Sequence, residues 1–189
     1  ILGRYSRLLV DLNRGPDDPT IVMKLSDGSV IPANANVDRF GDGDEFQSRI
    51  AHYHEPYHSA VDAQIKSALA QGHVPVIVSI HSFTPFWRGR ARQWHAGVLW
   101  DKDPRLALPL LGALADQEGL TVGDNEPYGG FLKGDTLYRH CTKRGLPHAL
   151  LEIRQDLIDT EKGQAEWADR LARILPDLIA ADGVSEITH

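Results

Sequence analysis

The chain has 189 residues, of which 42% are hydrophobic and 24% charged, and these values fit one globular domain over residues 1–189. The net charge of −6 argues against a general nucleic-acid binder, although clustered arginines could still bind a small anionic substrate. The single cysteine, Cys141, excludes an intramolecular disulfide and a cysteine-based zinc cluster, and it fits a reducing, cytoplasmic compartment. No apolar run reaches the ~18 residues of a membrane span, so no membrane partner is expected, and the oligomeric state is left open.

The N-terminal part of the chain is predicted to hold a strand, a surface excursion and a long helix. Residues 4–12 (RYSRLLVDL) are predicted as a strand that enters a loop rich in glycine and proline. Residues 21–43 indicate a short strand pair around an SDGS turn. From an N-cap at Asp44, apolar residues recur in steps of three and four, which predicts an amphipathic helix with a kink, or two abutting helices, at Pro56.

The rest of the chain alternates between strand and helix patterns. Short apolar runs predict three strands, at residues 74–80, 96–100 and 148–153. Helical patterns cover residues 106–117, 135–143 and 161–181. This alternation predicts an α/β fold with a mixed central sheet flanked by helices.

Polar residues stand at or just beyond the ends of the predicted strands. His81 offers an imidazole, the commonest metal ligand among side chains. Glu152 leaves an apolar strand, where desolvation raises a carboxylate's pKa towards that of a general base. Arg14 beside Asn13 offers the planar fork that binds a carboxylate through two hydrogen bonds. Together these groups predict hydrolysis of a small acidic substrate.

Each of these residues also has a structural interpretation. Arg14 could pair with Asp17 or Asp18 in its own loop. Glu152 and Arg154 alternate along one strand, share a face and could form a structural ion pair. His81 alone could be a loop histidine that bonds its own backbone, and Cys141 is better explained as a packed residue than as a nucleophile.

Two histidines four residues apart invite a metal interpretation. His54 and His58 have the spacing of helical zinc ligands, and Glu55 follows the first of them. Pro56 interrupts that turn, however, and would distort the helix that must aim both ligands. A distorted helix whose histidines pack or hydrogen-bond near the site is the better prediction.

Six segments carry a family resemblance, and they occur in the same order as in the family: SRLLVDLNRGPDDP, YHEPYH, VSIHSFTP, RQWHAGVLWD, DNEPYGG and GLPHALLEIRQDLI. The chain resembles the N-formylglutamate amidohydrolase (N-formylglutamate deformylase) family, which is similar to zinc carboxypeptidases and aspartoacylases. The resemblance implies a zinc carboxypeptidase-like (phosphorylase/hydrolase-like) fold. It also implies zinc-dependent hydrolysis of an N-acyl amino acid, with N-formyl-L-glutamate giving formate and L-glutamate in histidine degradation.

The resemblance also implies roles for individual residues. His81 corresponds to a zinc ligand, and Glu152 to the glutamate that acts as general base and then as general acid. Asn13 and Arg14 match the pair that holds the substrate carboxylate. Arg7 resembles an arginine that polarises the scissile carbonyl.

Three further residues fall in family-like segments, and the resemblance places Arg92, Tyr128 and Arg154 in the substrate pocket. The family's other two zinc ligands, a histidine and an acidic residue, are expected upstream of Ile1. The domain over residues 1–189 is therefore expected to be incomplete at its N-terminus. The alternatives are a deacylase for another N-acyl amino acid and a metal-free carboxylate-binding domain without catalysis.

Overall fold

The computed structural model describes residues 1–41, 43–131 and 133–188. Its helices and strands follow one another as β1 (Leu25–Ser26), β2 (Ser29–Val30), α1 (Glu45–Arg49), α2 (Glu55–Ala70), β3 (Ile77–Phe83), β4 (Phe86–Trp87), β5 (Arg90–Ala91), β6 (Ala96–Leu99), α3 (Pro104–Ala115), β7 (Val122–Asp124), α4 (Thr136–His140), β8 (His148–Arg154) and α5 (Glu161–Ala180). The fold groups into two compact units. The first unit comprises residues 1–73 and 133–140, and the second comprises residues 74–132 and 141–189. No helix in the described ranges combines the length and the apolar character needed to cross a membrane.

A four-stranded sheet forms the centre of the second unit, in the order β3-β8-β6-β7. Strand β8 runs parallel to β3 and antiparallel to β6, while β6 and β7 are parallel, so the sheet is mixed. Helices α3 and α5 pack on the sheet, and the predicted mixed α/β fold is therefore confirmed. The zinc carboxypeptidase-like part of that expectation stays a prediction, as does the single domain over residues 1–189.

The core of the second unit lies on one face of this sheet. Alternate residues of β8, among them Leu151 and Ile153, pack with Val98 of β6 against α3 and α5. Trp167 and Leu171 are the buried side chains of α5. Because side chains alternate between the faces of a strand, Glu152 lies on the opposite face, away from both helices.

The first unit has no strand at residues 4–12, and that prediction is wrong. The segment instead forms turns: the Ser6 hydroxyl and carbonyl accept from the N–H groups of Leu8 and Leu9 at 3.2 and 2.9 Å, and the Asp11 carboxylate accepts from the N–H of Asn13 at 3.0 Å. Such local side-chain hydrogen bonds compete with strand pairing. Val10 is still buried, in a small core with Ile21 and Phe46.

The long predicted helix is present with an irregular turn before Pro56. A π-helical turn, Ile50–His54, joins α1 to α2, and Pro56 lies in the first turn of α2. The backbone stays helical at Arg49, Ile50, His54 and Glu55, where the three helical segments meet. The predicted interruption near Pro56 therefore takes the form of a π-helical turn within one continuous helical run.

Candidate active site

His81 and Glu152 lie side by side on the sheet face opposite α3 and α5. They are paired in the parallel register of β3 and β8, so both side chains point to the same face. His81 Nδ1 is 3.8 Å from Glu152 Oε1, and the side chains are 24% and 7% exposed. A buried carboxylate beside a partly exposed imidazole is an arrangement suited to proton transfer.

The strand that carries His81 is longer at its carboxyl end than the sequence predicted. The prediction ended it at residue 80, whereas β3 covers Ile77–Phe83. The reason is that β8 pairs with β3 as far as Arg154, opposite Phe83. His81 is therefore held inside a ladder, which fixes its position more firmly than a loop would.

The segment that follows β7, residues 125–130, covers the sheet beside Glu152. Gly97 of β6 is paired with Glu152, and a Cβ at residue 97 would collide with the backbone carbonyl of Glu126. The amide oxygen of Asn125 accepts hydrogen bonds from the N–H groups of Trp100 at 3.0 Å and Gly130 at 2.9 Å. The loop is thus anchored to the same face as the carboxylate.

Arg92 and Tyr128, two predicted pocket residues, are in direct contact. Arg92 is 8% exposed, and its Nη1 donates to Tyr128 Oη at 2.8 Å and to the Thr84 carbonyl at 3.4 Å. Its guanidinium carbon lies within 5.5 Å of the ring centres of Phe83, Trp87 and Tyr128. This aromatic cage was not predicted, because Trp87 belongs to the hairpin β4–β5, where no strand was predicted. Gly89, which has a positive φ of 74°, is the signal that could have shown the turn.

Arg154 is held by its own segment. Its Nε and Nη2 donate to both carboxylate oxygens of Asp156, at 2.7 and 3.1 Å, and its Nη1 reaches the backbone carbonyls of Arg92 and Trp94. The hydrogen bond from Arg154 lowers the pKa of Asp156. Arg154 therefore forms its ion pair with Asp156 and not with Glu152, and its role in the substrate pocket stays a prediction.

In the first unit, Asn13 and Arg14 already have protein partners. The amide oxygen of Asn13 accepts from the backbone N–H of Thr136 at 3.1 Å. Arg14 Nε lies 3.8 Å from Asp18, so one of the ion pairs considered from the sequence is present. Arg7 is bonded to Asp11 at 2.6 Å, with about half of its side chain exposed. The substrate roles of these residues stay predictions.

A buried histidine cluster supports the Asn13–Arg14 loop. His54 Nε2 lies 2.9 Å from the Arg14 carbonyl, and His58 Nε2 lies 3.0 Å from the Leu12 carbonyl. Because a carbonyl only accepts, both Nε2 atoms must carry the proton. His58 Nδ1 then accepts from His140 Nε2 at 2.8 Å when His58 is neutral. The role of His140 was missed, because nothing in the sequence links it to the helix bearing His58.

Burial favours the neutral forms of His54 and His58. Desolvation lowers the pKa of His58 to about 3, and repulsion by Arg139, and by His54 and His140 in their protonated forms, acts in the same direction. The pKa of His54 is also lowered, mainly by burial. Hydrogen bonding to backbone carbonyls agrees with the prediction of packed histidines and leaves these nitrogens unsuited to a metal.

The side chains of the described ranges do not make a zinc site by themselves. Within them no group of three histidine, cysteine, aspartate or glutamate residues could hold a metal ion. His81 is a single candidate ligand beside Glu152, whereas protein zinc sites have three or four protein ligands. The donor set of the described side chains alone therefore does not fit zinc.

The fold and the His81–Glu152 pair are those of an α/β protein with a candidate acid–base site. Residues 1–159 match the family described as N-formylglutamate amidohydrolase. The chain belongs to this family, whose members are amidohydrolases.

Two solved structures are similar to the chain. The gene product Atu2144 from Agrobacterium tumefaciens is 35% identical with a TM-score of 0.82, over 94% of this chain and 69% of that one. The N-formylglutamate amidohydrolase from Ralstonia eutropha JMP134 is 24% identical with a TM-score of 0.45, over 71% of this chain and 51% of that one. No curated protein sequence matches.

Proposed function

We propose that the complete protein hydrolyses the amide bond of N-formyl-L-glutamate, giving formate and L-glutamate. Membership of the N-formylglutamate amidohydrolase family supports the reaction class. The observation that carries the proposal is the buried Glu152 carboxylate 3.8 Å from the imidazole of His81. The cytoplasmic location and the place in histidine degradation belong to the same proposal, and both rest on the resemblance and on the single cysteine.

Glu152 moves the proton in this reaction. Its Oε1 takes a proton from the attacking water, which adds to the formyl carbon, and the carboxyl group then gives that proton to the departing nitrogen. Burial suits this role because a carboxylate removed from bulk water holds a transferred proton close to the reacting atoms. Asn13 and Arg14 are proposed to bind the substrate's α-carboxylate, as the family resemblance implies.

Zinc is proposed as the cofactor, with His81 as one ligand and the others supplied from outside this chain. When bound in such sites, zinc acts as a Lewis acid and lowers the pKa of its water to near neutrality. His81 contributes an imidazole whose position is fixed by the strand ladder between β3 and β8.

Substitution of Glu152→Gln tests the proposal. We expect turnover of N-formyl-L-glutamate by the complete protein to fall by about three orders of magnitude or more, because glutamine cannot accept the proton. Glu166→Gln is the matched control, since its side chain is 62% exposed on α5, and it should leave turnover unchanged. Near-normal turnover in the Glu152→Gln protein would remove Glu152 from its role.

The identity of the acyl group is tested separately, by comparing substrates that carry different acyl groups. N-acetyl- and N-succinyl-L-glutamate differ from the formyl compound in the size of the group that the pocket must hold. The proposal predicts the highest kcat/KM for the formyl compound. A clear preference for a larger acyl group would instead identify a deacylase of another substrate class.

A further inference from the structure

We propose that Arg92 binds the side-chain carboxylate of the substrate and so restricts the enzyme to acidic N-acyl amino acids. This inference rests on the proposed function and assigns to Arg92 a role distinct from the α-carboxylate role of Asn13 and Arg14.

Among the described residues, the charge of Arg92 has no protein counter-ion. Both hydrogen bonds of its guanidinium come from Nη1, and no carboxylate of the described ranges pairs with it. Three other well-buried arginines each pair with an acidic side chain: Arg49 with Glu45, Arg105 with Asp103, and Arg154 with Asp156. A buried charge is costly unless it is compensated, and cation–π contacts supply part of the compensation. An anionic ligand would supply the rest.

Two independent contacts place Arg92 near the His81–Glu152 pair. The first is with Phe83, two residues beyond His81 on the same face of β3, whose ring centre is 5.5 Å from the guanidinium carbon. The second is with Tyr128, in the loop that covers Gly97 next to Glu152 in the sheet. Arg92 therefore contacts two residues that flank the candidate acid–base pair: Phe83, one strand repeat beyond His81, and Tyr128, in the segment that covers Gly97.

The length of the substrate fits this separation. Two residues along a strand span about 6.6 Å. The side-chain carboxyl carbon of an extended N-formylglutamate lies about 6 Å from its formyl carbon, from single bonds near 1.5 Å. A formyl group held at the His81–Glu152 pair would therefore place the side-chain carboxylate at about the level of Phe83, whose ring Arg92 contacts, and the planar fork of Arg92 matches a carboxylate. The aromatic cage restricts the movement of the Arg92 guanidinium, since the rings of Phe83, Trp87 and Tyr128 all contact it.

The test compares two substrates that differ only in side-chain charge, N-formyl-L-glutamate and N-formyl-L-glutamine, using the complete protein. For Arg92→Met we expect kcat/KM to fall about 100-fold for the glutamate compound and less than about 3-fold for the glutamine compound.

Tyr128→Phe keeps the charge and removes the orienting hydrogen bond, so it should lower kcat/KM for the glutamate compound by about 3- to 10-fold, mainly through KM. Arg90→Met is the control for charge on the same hairpin, because Arg90 is exposed, and it should change neither value.

Equal losses on both substrates would overturn the inference, because Arg92 would then act on the reaction centre or on folding. A wild-type protein without preference for the acidic substrate would overturn it as well.

Failure of the proposed function gives a different result, since the wild-type protein would hydrolyse neither compound. Titration calorimetry with glutarate and its monoamide glutaramate then tests Arg92 directly. The inference holds if the wild type prefers glutarate and Arg92→Met abolishes that preference. It fails if the wild type binds both equally or binds neither.

Discussion

At the scale of single residues, the protonation of the buried histidines is set by the backbone. The carbonyls of Leu12 and Arg14 fix the proton on Nε2 of His58 and His54, and burial makes a second proton unfavourable. These imidazoles hold the loop that bears Asn13 and Arg14. The position of this loop therefore depends on His54 and His58 remaining neutral.

This coupling predicts an acid-dependent loss of stability. The pKa of His58 falls from 6.5 in the unfolded chain to about 3 in the folded protein. Between these values only the unfolded chain takes up the proton. The contribution of His58 is therefore complete above pH 6.5 and is lost as the pH falls towards 3, by about 1.4 kcal/mol per pH unit.

The His58→Gln variant keeps a donor for the Leu12 carbonyl and removes the titration. Urea unfolding between pH 7 and 4 should show a shallower decline in the free energy of unfolding for this variant than for the wild type. His73→Gln, at an exposed position, is the control and should follow the wild type. Identical slopes for wild type and His58→Gln would show that His58 is not buried in its neutral form.

At the scale of secondary-structure elements, the loop on the outer face of the sheet packs closely against the sheet at Gly97. Its missing side chain leaves room for the Glu126 carbonyl directly beside Glu152. Gly112, on the exposed side of α3, has nothing within 4 Å of the place a Cβ would occupy. The same substitution at these two glycines should therefore have opposite effects.

We expect Gly97→Ala to lower the free energy of unfolding by about 2–4 kcal/mol, because backbone must move to admit the methyl group. Gly112→Ala should raise it by about 0.5–1 kcal/mol, since alanine is the better helix former and meets no neighbour. Denaturant unfolding of both variants measures the difference. A neutral effect at Gly97 would mean that the loop does not cover the sheet as described.

The same elements show what the sequence could and could not predict. The apolar runs around His81 and Glu152 located both strands, because a buried strand is recognisable from its own composition. The end of β3 was misplaced, since it is set by pairing with β8, about 70 residues later in the chain. The cage around Arg92 escaped prediction for the same reason: Phe83, Trp87 and Tyr128 meet only in the folded second unit.

At the scale of the whole molecule, the metal that the family resemblance implies does not agree with the metal ligands that the described side chains provide. The family resemblance implies zinc, whereas the described side chains provide one imidazole beside one carboxylate and no group of three ligands. A lone imidazole binds zinc too weakly to retain it through purification. A zinc site that includes His81 would therefore need ligands besides these described side chains.

We predict that the 189-residue chain, expressed with zinc and dialysed, retains less than about 0.1 zinc per molecule, because a single protein ligand gives little binding energy. Elemental analysis measures this, and a protein that carries sequence upstream of Ile1 is the matched comparison. On the proposal that the remaining zinc ligands precede Ile1, the longer protein is expected to bind zinc stoichiometrically and to lose most of it in the His81→Ala variant, while Glu152→Gln keeps it. Stoichiometric zinc in the short chain would show that its own side chains suffice. Zinc retained by the His81→Ala protein would exclude His81 as a ligand.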